Sequence, residues 1–112
     1  MMLTEELNRV RDLINTNTDK GQFGTGSTAE AYTDGSLSSA VAATQKSTTS
    51  TTVSQFLVKT MEITSTEGNS NTLQEFVLQK SSTGDTINRV TFTGLAKTNL
   101  FNARINVRYF FK

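Results

Sequence analysis

The chain has 112 residues, a formal net charge of +1, no Cys and no His. That length is one domain, or one domain with an arm. Disulfides and thiolate metal sites are excluded, the commonest metal ligand and usual general base are missing, and the charge is too small for bulk nucleic-acid binding.

The 35% hydrophobic residues together with 7 Gly bring the apolar share to about 41%, below the roughly 45–50% usual for globular domains. Thr occurs 20 times and Ser 11 times, more than a quarter of the chain. Thr favours strands and Ser favours turns, so an all-β protein with long loops is expected. A core this lean gains from burial against further copies or a partner. No apolar run approaches the roughly 20 residues of a membrane helix, and the acidic start Met1-Met2-Leu3-Thr4-Glu5-Glu6 does not read as a signal peptide. The expectation is a soluble protein made in a cytoplasm, with no membrane partner and no cofactor.

Residues 3–15 carry the one good helical pattern, with Leu3, Leu7, Val10, Leu13 and Ile14 on one stripe. Thr4 can cap the first turn, where Glu5 and Glu6 suit the helix dipole. Such a helix either packs on its own sheet or forms an arm docking on a neighbouring subunit. Residues 1–19 are therefore read as an N-terminal helix or arm and 20–112 as the β-domain.

From Asn15 to Ser36 the chain reads as loop. Gly24-Thr25-Gly26-Ser27-Thr28-Ala29 matches a dinucleotide-binding pattern in letters, but that motif needs a buried strand before it and a helix opening from it. A nucleotide site is not expected. Leu37–Ala43 fits a helical turn or the start of a strand, and Thr44–Ser54 a hydroxyl-rich edge strand or an excursion. Over Gln55–Ser65, Leu57, Met61 and Ile63 alternate with Phe56, Val58, Thr60 and Glu62. Glu67–Asn71 turns the chain, Leu73–Gln79 is an apolar strand, and Ser81–Asp85 makes a hairpin loop. Ile87–Thr93 returns, and Gly94–Asn102 connects to a terminal strand. There Ala103, Ile105, Val107, Tyr109 and Phe111 face one side, and Arg104, Asn106 and Arg108 the other, with Phe110 the apolar exception. At nine residues and about 30 Å this should be the longest strand. The fold expected is an antiparallel β-sandwich, jelly-roll-like, with a short N-terminal amphipathic helix.

The acidic residues show no calcium-loop spacing and no His is present to activate a hydroxyl, so catalysis is not expected. Residues 81–112 hold Arg89, Lys97, Arg104, Arg108 and Lys112 against Asp85. This excess is either a solvated sheet face that discourages edge pairing or a contact surface for an acidic protein, with nucleic acid well behind. An exposed Phe110 beside Arg108 is the best single contact anchor.

Two stretches carry a resemblance. Phe23-Gly24-Thr25-Gly26-Ser27-Thr28-Ala29-Glu30-Ala31 through Asp34-Gly35-Ser36-Leu37, and Leu73–Leu78 followed by Asn88–Phe92 and the alternating terminal strand, together resemble small virion structural proteins of tailed phages, tail- or fibre-associated. The likeness extends over roughly residues 20–111. This chain lacks the aliphatic strand that group usually has before the glycine loop, and the Trp of its terminal strand. The resemblance implies a β-sandwich subunit filling a repeated position in a virion, with its own copies and other virion proteins as partners. The alternative is a receptor- or glycan-binding module on a virion using the loops Gln22–Asp34 and Glu67–Asn71. The candidate interface comprises Leu3, Leu7, Val10, Ile14, Phe23, Tyr32, Arg104, Arg108 and Phe110.

Overall fold

The computed structural model describes residues 4–28, 30, 37, 39–53 and 56–110. Among these residues, helix α1 (Thr4–Asn17) precedes seven strands: β1 (Lys20–Gly24), β2 (Lys46–Ser47), β3 (Thr49–Val53), β4 (Phe56–Ile63), β5 (Asn71–Lys80), β6 (Asp85–Lys97) and β7 (Ala103–Phe110). They form two antiparallel sheets, β2-β1-β5-β6 and β3-β4-β7. The molecule is an all-β sandwich with one short N-terminal helix. Leu3, Ala29, Tyr32, Phe111 and Lys112 lie outside the described residues.

The core lies between the sheets. Phe23, Leu73, Phe76 and Leu78 come from one side, and Met61, Ile63 and Ala103 from the other. Phe92, Ile105, Val107 and Tyr109 pack against this cluster. Phe23 sits 5.2 Å from the Phe76 ring and meets the Phe92 ring edge-on at 6.2 Å. Each such side chain contributes about 1.5–3 kcal/mol by leaving water, which lets few apolar residues hold the sandwich.

Three sequence expectations are corrected. The segment before the glycine loop is a strand: Lys20–Gly24 pairs with β2 on one edge and β5 on the other. Its glycines are close-approach positions, because a Cβ on Gly21 would stand 2.6 Å from the Phe76 ring and 2.9 Å from the Met61 sulfur. A strand that must lie this near the core uses Gly where a loop reading expects freedom. Next, the strand entered at Ile87 runs from Asp85 to Lys97, so Gly94–Lys97 belongs to it and not to a connection. At 13 residues it, and not the terminal strand, is the longest among the described residues. The terminal strand has eight described residues and lies at a sheet edge. Periodicity marks which faces are apolar but not how far a polar Thr-rich pairing extends.

Other expectations agree with the structure. The β7 alternation holds, with Ala103 buried, Ile105, Val107 and Tyr109 half-buried, and Arg104, Asn106, Arg108 and Phe110 exposed. Thr49–Val53 is an exposed edge strand, and a 3-10 turn occupies Ala42–Thr44. The turn Ser81–Gly84 closes the β5–β6 hairpin, with Gly84 at φ +75°.

Candidate functional site

Strand alternation turns Phe76 and Leu78 into the core and Glu75 and Val77 to the opposite face of their sheet. On that face Glu75 is fully buried. Its Oε1 accepts from Arg89 Nε at 3.2 Å, while Oε2 accepts the backbone N–H groups of Gly26 (2.6 Å) and Ser39 (2.9 Å). Arg89 Nη2 donates to the Thr28 carbonyl at 2.9 Å. Farther along, Glu30 Oε1 accepts from the Thr91 N–H and hydroxyl at 2.6 and 2.8 Å. One buried ion pair therefore straps the glycine-rich segment to the sheet. The Gly26 amide that a phosphate would need is already engaged by the protein's own carboxylate.

Two further cations are internal. Lys59, on the inner side of β4, reaches the end of α1 and donates to Asn15 Oδ1 (2.9 Å) and the Asn15 carbonyl (3.3 Å). A cation suits the C-terminal end of a helix, and burial pushes this ammonium's pKa down, with Asp19 opposing. Lys97 donates to Asn69 Oδ1 (2.9 Å) and the Thr98 carbonyl (2.8 Å), with its ammonium 5.3 Å from the centre of the Phe101 ring. Beside it Asn69, Ser70, Thr98 and Asn99 line an open polar recess of about 360 Å³. The basic excess of residues 81–112 is thus not one cationic face, because Arg89 and Lys97 are buried.

Tyr109 is the strongly shifted group of β7. Burial pushes its hydroxyl up to about 12, with a hydrogen bond to Asn88 of β6 opposing. Unfolded, it ionises near pH 10. The folded pKa is the higher one, so this group's contribution is complete below about pH 10 and is lost as pH climbs from about 10 to about 12. Tyr109→Phe should therefore lose less stability than the parent between about pH 9 and pH 11.5 in urea unfolding. Equal losses would contradict this.

The exposed face of β3-β4-β7 grades from apolar to charged. Register places Val53, Phe56 and Phe110 in one row across all three strands. The Phe56 and Phe110 rings meet edge-on at 4.4 Å, yet are 41% and 50% exposed, and Val53 is 63% exposed. Thr51, Val58 and Arg108 form the next row, and Thr49, Thr60 and Asn106 the one after, with Thr60 Oγ1 donating to Asn106 Oδ1 at 2.6 Å. At the far end Glu62 accepts both Nε and Nη2 of Arg104, at 3.1 and 2.9 Å, and Asn102 Nδ2 at 3.2 Å. Helix α1 adds a second apolar patch. It lies against β4 and β5, but Leu7 is its one buried residue, Ile14 is half-buried, and Val10 and Leu13 are 36% and 60% exposed.

The predicted contact residues therefore divide. Arg104, Arg108 and Phe110 share the outer face of β7, and Val10 and Ile14 lie on the helix stripe. Leu7 and Phe23, at 6% and 2% exposure, are core residues and leave the interface set. Leu3 and Tyr32 fall outside the described residues. Sequence reading missed Val53 and Phe56 as members of this exposed row. They become neighbours of Phe110 only once β4 lies between β3 and β7, and the alternation of Phe56 with Leu57 was the available signal. Comparison with family models, with curated proteins and with solved structures finds no match to this chain.

Proposed function

We propose that this protein is a non-enzymatic structural subunit of a tailed-virus particle. In this reading it repeats in the tail, baseplate or fibre attachment, or decorates the capsid. The observation that carries the reading is the exposed Val53–Phe56–Phe110 row, beside Arg108 and on the same chain as a helix stripe left half-open at Val10 and Leu13. Clustered aromatics flanked by Arg are what contact surfaces concentrate. The resemblance of the glycine loop and terminal strand to small phage virion proteins supplies the viral setting.

Sedimentation velocity should give a discrete species at a whole multiple of 12.3 kDa, and Phe56→Ser/Phe110→Ser should shift it toward monomer without altering the β-type circular dichroism. Density maps of the intact particle should contain the sandwich in repeated copies. A parent protein that stays monomeric at high concentration would overturn the reading. The alternative, receptor or glycan binding, draws on the amide- and hydroxyl-lined recess at Asn69, Ser70, Thr98 and Asn99. A silent glycan array would remove it.

A further inference from the structure

We propose that β7 is a pairing edge for the β7 of a second copy, antiparallel about a two-fold axis at Val107. The inference rests on the reading above that the protein assembles with its own copies, and it names the strand and register. Sheet edges present unpaired N–H and C=O groups and accept further strands unless blunted. The four edges here differ in that respect. β2 has two residues and β3 five. β6 is irregular, with register shifts at Leu73/Glu75 and Leu78/Gln79 against β5, and Glu30 already takes its Thr91 N–H. β7 pairs with β4 without interruption from Ala103 to Phe110, and no other described strand pairs with it.

Charge selects the register. In an antiparallel pair, residues directly opposite share a face, and like charges there are unfavourable. An axis at Asn106 sets Arg104 against Arg108 of the second copy, twice. Axes at Arg104 or Arg108 set an Arg against itself. Centring on Ile105 or Tyr109 avoids that clash but shortens the overlap. An axis at Val107 pairs the seven residues 104–110 with no Arg facing Arg. On the outer face Asn106 meets Arg108, and Arg104 meets the exposed ring of Phe110, a favourable cation–aromatic pairing. On the inner face Val107 meets Val107 and Ile105 meets Tyr109, so the apolar layer continues between copies. This is a self-complementary contact of the kind that two-fold dimers use.

The chain has no Cys, so introduced thiols report register directly. Directly opposite Cα atoms lie about 4.5–5.5 Å apart, within disulfide reach, whereas diagonal ones lie about 7–8 Å apart. Mixing Asn106→Cys with Arg108→Cys and oxidising mildly should give the mixed cross-linked dimer. Either variant alone should give little. Cross-linking of Asn106→Cys or Arg108→Cys with itself, or none in the mixture, would overturn the inference. As a thiol-free check, Asn106→Asp places a carboxylate opposite Arg108 twice, and Asn106→Arg a cation twice. The dimer dissociation constant should fall and rise respectively, by up to about tenfold, and unchanged values count against the register. Mixed cross-links in a dimer that particle density lacks would sink only the viral reading. An oligomer without them would sink only the β7 pairing.

Discussion

Replacing Glu75 by Leu should lower stability by about 3–5 kcal/mol, the range found when one partner of a buried ion pair is removed. Both side chains are under a tenth exposed, so Arg89 would keep a buried charge facing an apolar group. The loss is compounded because the same carboxylate holds Gly26 and Ser39 by their amides, and a buried N–H without an acceptor costs about 1–3 kcal/mol. In a domain of this size the melting temperature should drop by more than about 10 °C. The double variant Glu75→Leu/Arg89→Met separates the terms. It removes the stranded charge and should recover part of the loss, while Gly26 and Ser39 stay unprotected in hydrogen exchange. A double variant no more stable than Glu75→Leu would show that the pair is not what sets the cost.

That strap marks the boundary of what the sequence discloses. The apolar alternation of Phe56–Ile63 and Ala103–Phe110 is imposed residue by residue by the pleat, so strand type and inner face were legible, as was the Ser81–Asp85 turn. Side-chain partners distant in the chain were not. Glu75 and Arg89 are 14 positions apart, and Lys59 and Asn15 are 44 apart. Alternation places Lys59 on the inner side with Leu57 and Met61, but nothing in the sequence names Asn15 as the group it meets. Strand order has the same character. Only pairing both flanks of β4 brings Val53, Phe56 and Phe110 into one row, and only the β3-β4-β7 order leaves β7 at an edge. The candidate surface was thus half legible: Arg104, Arg108 and Phe110 follow from alternation within one strand, whereas Val53 and Phe56 need the sheet. The same gap explains the misplacing of Phe23 and Leu7, since a Phe between Gln22 and Gly24 reads as a loop residue until β5 is laid beside it, and a helix stripe does not show which of its residues its own sheets cover.

Gly24→Ala should cost about 3 kcal/mol, at the upper end of the usual range for overpacking. A Cβ at this position would stand 2.5 Å from the Ser39 carbonyl oxygen and 2.7 Å from both Cγ and Oε2 of Glu75. The Ser39 oxygen is backbone and accepts the Thr25 N–H at 2.8 Å, and the Val41 N–H donates to the Phe23 carbonyl at 3.0 Å, so both sides of the contact are tied. To admit one methyl group, the strap must lift or the carboxylate must withdraw from Gly26 and Ser39. Gly21→Ala meets a different obstacle. Its Cβ would press on the Phe76 ring and the Met61 sulfur, side chains that can shift, so about 1–3 kcal/mol is expected there. The two variants should differ in kind as well as size. Gly24→Ala should raise amide exchange at Gly26 and Ser39 before global unfolding, and Gly21→Ala should leave those amides protected. Equal exchange in both variants would mean that the segment is held by the core as a whole and not by the Glu75 carboxylate.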